Sequence, residues 1–407
     1  GQTAVATPNL DEFFPEAIRF ARAWSTAPVC SPARSTLISG SYATTYGSDY
    51  HRRAVNVPEQ QYFFPRLMRD AGYYATNNQK TDYNAIQPAN AWDRSNSSAS
   101  WATTPTFPPF CPDGPDAYSD YQFHLESIIG IDTWAGALLD RLAQDQLDDE
   151  TIVFFFSDHG GLLPRSKGYI FETGLRIPLG VRVPERLRCL LPDDLRGSVG
   201  SSSERLVGFV DFAATVLSIA DMPAPNYMQG EAFLGDRATE PREYQYAFMT
   251  NRWAHFLPDR AVTDGKYKYI RRFLPYRAHS NRGNYQWGMP AAIEWDVYAL
   301  EGPPQGGPQQ PEWLALYEPT SYLNQAEMLF DIEADPIAMN NHSPAPARAA
   351  ALAAERAARD SYGRLLAFLA ARTGDIGLAE DALADAFAKA LSDWPAQGVP
   401  NTPAAWL

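Results

Sequence analysis

Apolar residues recur every three or four positions in some stretches and run together in others, which separates helices from strands. Leu10, Phe13, Phe14, Ala17 and Ile18 mark one face of a helix predicted over Asn9–Arg22. Ser25–Pro32 reads as a turn leading into a second helix that starts near Ala33. Phe63–Ala71 is amphipathic, and Gly72 stands where a C-cap glycine ends a helix. Tyr73–Asn77 reads as a strand. Asn84–Ala117 is rich in Ser, Thr, Pro, Asn and Trp and has no period, so it reads as a loop longer than a plain connection. Leu125, Ile128, Ile129, Ile131, Ala135, Leu138, Leu139 and Leu142 predict a helix over Tyr121–Gln146. The apolar run Thr151–Phe156 has strand length and predicts a strand covered on both faces. Pro178–Val183 reads as a second buried strand, and Leu206–Ile219 as a helix with Val207, Val210, Ala214 and Leu217 inward.

Helices alternating with buried strands predict an α/β sandwich around a mainly parallel sheet over residues 1–223. After Pro223 the chain becomes rich in Pro, Gly and aromatic residues, with short strands predicted at Lys266–Arg271 and Glu327–Asp331. This texture predicts a smaller α+β subdomain over 224–364, into which an Ala-rich helix at Ala347–Leu369 runs. Residues 365–407 read as a separate helical tail, helical to about Leu391 and then Pro-rich.

The chain has 407 residues and a net charge of −14, against the basic face that general nucleic-acid binding needs. An anionic substrate would have to be held by local positive charge. No apolar run is long enough to span a bilayer. No charged and apolar leader precedes the first motif, and localisation stays open between periplasm, exterior and cytoplasm. The three cysteines, Cys30, Cys111 and Cys189, are too few for a disulfide framework; Cys111 and Cys189 read either as one bridge or as two free thiols.

Four segments carry chemistry. In Cys30-Ser-Pro32-Ala-Arg34, Pro32 suits the start of a helix, so Cys30 lies beside free backbone N–H groups and the positive end of the helix dipole. Arg34 is one turn on, on the same face. Nucleophile, dipole and guanidinium thus converge, which suits an oxyanion. Ser157-Asp158-His159-Gly160-Gly161 ends a strand, where α/β sheets bind ligands and where a carboxylate can hold a hard cation. Lys167 opens Lys-Gly-Tyr-Ile-Phe-Glu172-Thr-Gly174-Leu-Arg176-Ile-Pro178, and Lys80 and Asp82 lie in Asn77-Asn-Gln-Lys80-Thr-Asp82. Taken singly, the last three segments also read as a turn, a solvated lysine and a polar loop.

Together these motifs, in this order, resemble the type I sulfatase family over residues 5 to 345; Lys80 with Asp82 resembles the branch that includes heparan N-sulfatase (sulfamidase). The resemblance implies an alkaline-phosphatase-like fold. It implies that a formylglycine-generating enzyme oxidises Cys30 to formylglycine, whose hydrated aldehyde attacks sulfur. It further implies Ca2+ held by Asp158, by His159 in the adjoining position and by residue 30, with Arg34, Lys80 and Lys167 on the sulfate of a small sulfated substrate or sulfated glycan. Asp82, Arg165, His51, Arg52 and Arg53 are candidate contacts to a polyanionic sugar.

The chain departs from the family pattern at three places. The opening strand with paired calcium-binding aspartates has no counterpart, since Asp11 falls in the first turn of a predicted helix. The long loop stands where the family has a strand and a catalytic histidine, with His124 on the following helix as a candidate replacement. From Leu365 the tail resembles the start of an extracytoplasmic-function sigma factor. These departures predict an incomplete or fused chain and leave two alternatives: a catalytically impaired remnant, and a phosphoesterase of the same superfold.

Overall fold

The computed structural model describes residues 5–51, 55–57, 63–77, 80, 82–87, 91–95, 115–161, 165–252, 255–275, 289–301 and 325–337, with isolated positions beyond. The predictions over residues 347–368, over nearly all of the tail, and at Arg52, Arg53 and Cys111 lie outside the described residues.

The chain opens with α1 (Pro8–Phe13), β1 (Ala17–Trp24) and α2 (Cys30–Ser39). The predicted helix over Asn9–Arg22 therefore holds only in its first half. Pro15 follows Phe14 in a 3₁₀ turn, and a proline ring cannot continue an α-helix. Ala17–Trp24 continues as an inner strand. Next come β2 (Val55–Asn56), α3 (Phe64–Asp70), β3 (Thr76–Asn77), β4 (Ala85–Ile86) and β5 (Arg94–Ser95). Of the predicted strand Tyr73–Asn77 only the last two residues pair, and Tyr73 and Tyr74 are exposed. The predicted loop contributes two such short strands, pairing β2 with β4 and β3 with β5. Residues 96–114 fall outside the described residues.

After the long helix α4 (Pro115–Gln144), β6 (Val153–Phe156), α5 (Glu172–Leu175), β7 (Leu179–Arg182), α6 (Asp193–Arg196), β8 (Ser202–Gly208) and α7 (Phe209–Ile219) complete the first layer set. Its sheet runs β6-β7-β1-β8. β1 is parallel to β8 and antiparallel to β7, which is antiparallel to β6, so three of the four strands share a direction. Leu206 and Val207, predicted as helix, are strand. The helix begins after Gly208, because the Asp211 carboxylate accepts from the Gly208 N–H at 2.8 Å and caps it there.

β6 is less fully covered than its apolar run predicts. It lies at the edge of the sheet, and its side chains are only half-buried. Phe154 and Phe156 pack on Phe212 of α7, while Phe155 meets Phe13 and Phe14 on the opposite face. A groove of about 450 Å³, lined by residues that include Leu10, Trp134, Leu138 and Phe155, runs between β6 and α4.

The second sheet, order β12-β11-β10-β9, is antiparallel: β9 (Gln245–Arg252), β10 (His255–Thr263), β11 (Tyr267–Arg272) and β12 (Glu327–Asp331), with α8 (Pro290–Glu301) between β11 and β12. One hydrophobic core joins the two sheets: Trp24, Val29, Phe171 and Leu175 cluster with Met249, Ile270, Trp295, Met328 and Phe330. Segments flanking Cys30 and Lys167 are thus packed on both sheets. Among the described residues no helix is long and apolar enough to cross a membrane.

Candidate active site

The parallel strands β1 and β6 end on the same side of the sheet and release the chain into the two motif turns. From Trp24 the backbone crosses Ser25–Val29 and enters α2 at Cys30, which is 4% exposed. α2 closes at Gly40 in the left-handed region, with φ 68°. A Cβ there would stand 2.9 Å from the Met228 sulfur and 3.0 Å from Cβ of Ala213, so glycine lets α2 seat against α7 and its following turn. Near Cys30 the helix is buried: Ser35 Oγ donates to the Tyr83 carbonyl, and Thr36 Oγ1 to that of Pro32 at 3.2 Å.

From Phe156 the chain turns through Asp158 and His159. Gly160 is required here, because a Cβ would come within 1.9 Å of the Thr173 carbonyl oxygen. The Gly160 N–H donates to the Gly174 carbonyl at 2.9 Å. The Lys167 N–H reaches the Gly161 carbonyl at 2.9 Å, and the Gly168 N–H the Pro28 carbonyl at 2.6 Å. These bonds stitch the Lys167 turn to both motif turns.

Cys30 Sγ lies 3.2 Å from His159 Nε2. The other ring nitrogen, Nδ1, lies 2.7 Å from the Gly160 carbonyl. A carbonyl can only accept, so Nδ1 carries a proton and Nε2 faces the thiol. Asp158 Oδ1 is 3.6 Å from the same Nε2, while Oδ2 takes the Arg34 Nε–H at 2.9 Å and lies 3.6 Å from Lys80 Nζ. Arg34 Nη1 also donates to the Lys80 carbonyl at 3.4 Å, and Lys80 Nζ lies 3.9 Å from Asp82. Burial alone would raise the Cys30 thiol, but its hydrogen bond to His159 and that ring's charge outweigh it, and the value falls to about 6. Lys167 contributes in the same direction. Burial also opposes charge on Asp158, yet His159, Arg34 and Lys80 hold it well below the usual carboxylate range.

The structure thus brings Cys30, Arg34, Lys80, Asp158 and His159 into direct contact and sets Lys167 within electrostatic reach of Cys30. Asp82 joins at the edge through Lys80. Arg165 does not join: it is fully buried, its Nη1 donates to the Ile337 carbonyl at 2.5 Å, and its guanidinium lies 4.4 Å from the centre of the Phe171 ring. The contact to a sugar expected of it is withdrawn, because an arginine stacked inside the core has no path to a ligand. His51 is half-buried in the turn before residues 52–54. His124, on α4, has its Nε2 within 3.5 Å of where a Cβ on Gly161 would stand, two residues past His159, and burial lowers its pKa.

Sequence reasoning missed one group beside the site. Lys268 Nζ donates to Glu172 Oε1 at 2.8 Å, both side chains 1% exposed, and the Trp24 indole N–H lies 3.2 and 3.0 Å from the two Glu172 oxygens. Lys268 reads as an ordinary strand lysine. Its place in phase with Ile270 and Arg272 on the buried face of β11 was the available signal.

Among the described residues, Cys30, Asp158 and His159 form the one group of three whose ligand atoms all lie within 4.8 Å of one another. Ca2+ takes six to eight oxygens. The group offers one carboxylate, an imidazole nitrogen and a sulfur, and even with an oxygen at position 30 it falls well short of that shell.

Residues 1–130 and 97–222 match the Sulfatase family. The chain belongs to the sulfatase family. An ulvan-active sulfatase from Formosa agariphila is 28% identical over 422 residues, covering 84% of this chain and 68% of that one. Human N-sulphoglucosamine sulphohydrolase is 24% identical over 193 residues, 45% of this chain and 35% of that one. Among solved structures, a protein in complex with its substrate D-glucosamine-2-N,6-O-disulfate has TM-score 0.55 and 13% identity, covering 98% and 95% of the two chains. The phosphonate monoester hydrolase of Silicibacter pomeroyi has TM-score 0.55 and 14% identity, covering 89% and 90%. These likenesses give the alkaline-phosphatase-like fold.

Proposed function

We propose that this sulfatase hydrolyses the sulfate ester, or sulfamate, of a sugar or glycan, with position 30 as nucleophile. The observation that carries the reading is the convergence of residues 30, 34, 80, 158 and 167, which come from remote stretches of chain, on one strand end. Converted to formylglycine by a formylglycine-generating enzyme, position 30 would supply a hydrated aldehyde, one hydroxyl of which would attack sulfur as the bond from sulfur to the sugar oxygen or nitrogen breaks and the sugar leaves as a protonated alcohol or amine.

The other roles follow from the side chains. Arg34 and Lys80 are fastened by Asp158 yet partly open to solvent, with their side chains 27% and 44% exposed. Each keeps N–H groups free of Asp158 for sulfate oxygens, and Lys167 adds a third charge within electrostatic reach of Cys30. The three cations outnumber the carboxylates of Asp158 and the peripheral Asp82 and leave a local positive site in a chain of net charge −14. His159 Nε2, facing position 30, can take the nucleophile's proton. His124, held neutral at pH 7 by burial, suits the base that removes a proton as the sulfated hydrate collapses and regenerates the aldehyde. The names of the ulvan-active and N-sulphoglucosamine relatives favour a sulfated carbohydrate. The donor set assigns calcium no step.

The test is production of the chain with and without a formylglycine-generating enzyme, peptide mass spectrometry across Cys30, and turnover of aryl sulfate and aryl phosphate. An aldehyde at position 30 with sulfate turnover supports the reading. Aldehyde without turnover favours an impaired remnant, and preferential phosphate turnover a phosphoesterase of the same superfold.

A further inference from the structure

The poor match to a hard cation raises the question of which ion the cluster does fit. Three lone-pair atoms converge: Cys30 Sγ and His159 Nε2 at 3.2 Å, and Asp158 Oδ1 at 3.6 Å from the same nitrogen. All lie within 4.8 Å of one another. Sulfur, imidazole nitrogen and a single carboxylate oxygen form the donor set of Zn2+, which binds three protein ligands and keeps a fourth position open for water.

Two further features support a borderline ion here. His159 donates its second ring N–H to the Gly160 carbonyl at 2.7 Å, the outer hydrogen bond by which a metal-ligating histidine is fixed in tautomer and orientation. Asp158 is divided in function: Oδ2 is taken by Arg34 at 2.9 Å, which orients the carboxylate and leaves Oδ1 toward the other two donors. The cysteine and histidine side chains are both buried.

We propose that the chain with Cys30 unconverted binds Zn2+ through Cys30 Sγ, His159 Nε2 and Asp158 Oδ1. The thiol proton leaves to solvent as the sulfur–zinc bond forms, so one proton is released per ion. Enzymatic conversion of Cys30 to the aldehyde, a two-electron oxidation in which an external oxidant such as dioxygen takes the electrons and the sulfur leaves as sulfide, removes the sulfur donor and ends this mode of binding, and bound zinc in turn shields the thiol from modification. The site uses the same cluster as the sulfatase reading but concerns the chain before maturation, so either can fail alone.

The experiment uses the 407-residue chain made without the modifying enzyme, with Cys111→Ser and Cys189→Ser removing the other thiols and peptide mass confirming the intact Cys30. Added Zn2+ is expected to bind one per chain, and Co2+ in its place to give a thiolate-to-cobalt charge-transfer band. Cys30→Ser abolishes the band, and His159→Gln weakens zinc binding by more than the roughly 10–100-fold that loss of an outer partner costs. Should a variant not fold, the unsubstituted thiol decides: zinc must slow alkylation of the Cys30 peptide at least about tenfold, a modest demand on a bound ligand. Sub-stoichiometric zinc, a band that survives Cys30→Ser, or alkylation indifferent to zinc overturns the proposal. Aldehyde formation and sulfate turnover in matured protein are measured separately and bear only on the hydrolytic reading.

Discussion

Two charged clusters, centred on Asp158 and on Glu172, are built on opposite principles. In the Glu172 cluster, Trp24 and Lys268 satisfy both carboxylate oxygens and everything is buried. In the Asp158 cluster, one oxygen is fastened by Arg34 and Lys80, while the other faces a histidine nitrogen and a thiol. A buried charge with both oxygens answered by buried donors holds the fold together. A charge with one side anchored and the other turned toward lone pairs is positioned to bind something. The Asp211 group is of the first kind: Gly208 and Glu231 N–H groups, Arg242 and Gln245 surround it and tie the start of α7 to the turn at Gly230.

The contrast can be broken first at the proposed nucleophile, position 30. Cys30→Ala is expected to lower aryl sulfate turnover of the matured enzyme by on the order of 10⁴ or more while leaving thermal unfolding little changed. A large loss of stability instead would place Cys30 with the structural groups.

Next comes the sealed pair. Lys268→Met strands the Glu172 carboxylate in the core and should cost about 3–5 kcal/mol of stability in denaturant unfolding. Lys268→Met with Glu172→Gln should recover part of that loss, because the uncompensated charge is gone. If the single variant unfolds like the parent, the saturated cluster is not structural.

Arg34→Ala sharpens the other side. It should lower turnover about 10²–10³-fold, the usual cost of one donor to a developing anion, with a small change in unfolding. Arg34→Lys keeps the charge but loses the planar fork and should recover only part of the rate.

The smallest effect is in pH. In the unconverted chain the alkylation rate of Cys30 should rise with a midpoint near pH 6, where an ordinary thiol has 9.0. His159→Gln removes the cause of that depression and should move the midpoint up. Asp158→Asn removes a charge that raises the thiol and should not. A depressed thiol contributes stability that is present in full above the unfolded-state value and lost as pH falls through about 6. The melting temperature of unconverted chain should accordingly fall from alkaline pH toward pH 6, and less steeply in Cys30→Ala. Equal slopes would detach the thiol from the fold's pH response.

Much of the site was legible in the order of residues, because its parts are local. Pro32 at a helix start, Arg34 one turn on and Asp158 at a strand end each follow from a few neighbouring positions. Three readings needed more than neighbours. Ala17 and Ile18 continue a helical spacing, but Pro15 stops the helix and pairing with β7 and β8 makes the segment a strand. Arg165 carries the same charge as Lys167 two residues away, yet packing on Phe171 draws it into the core while Lys167 stays within electrostatic reach of the thiol. Phe154 to Phe156 has the composition of a central strand but lies at the sheet edge.

The sequence by itself determined the periodic elements, the helix start that holds Cys30, the glycines that let turns approach closely, and the family to which the chain belongs. These rest on local sterics and backbone hydrogen bonding, which neighbouring residues control. Only the tertiary structure decided which charges are sealed and which are open, and that Sγ, Nε2 and Oδ1 point at one another. Such facts depend on contacts far apart in the chain, 96 residues for Lys268 with Glu172 and 129 for Cys30 with His159, and no local rule of spacing encodes the direction in which a side chain turns.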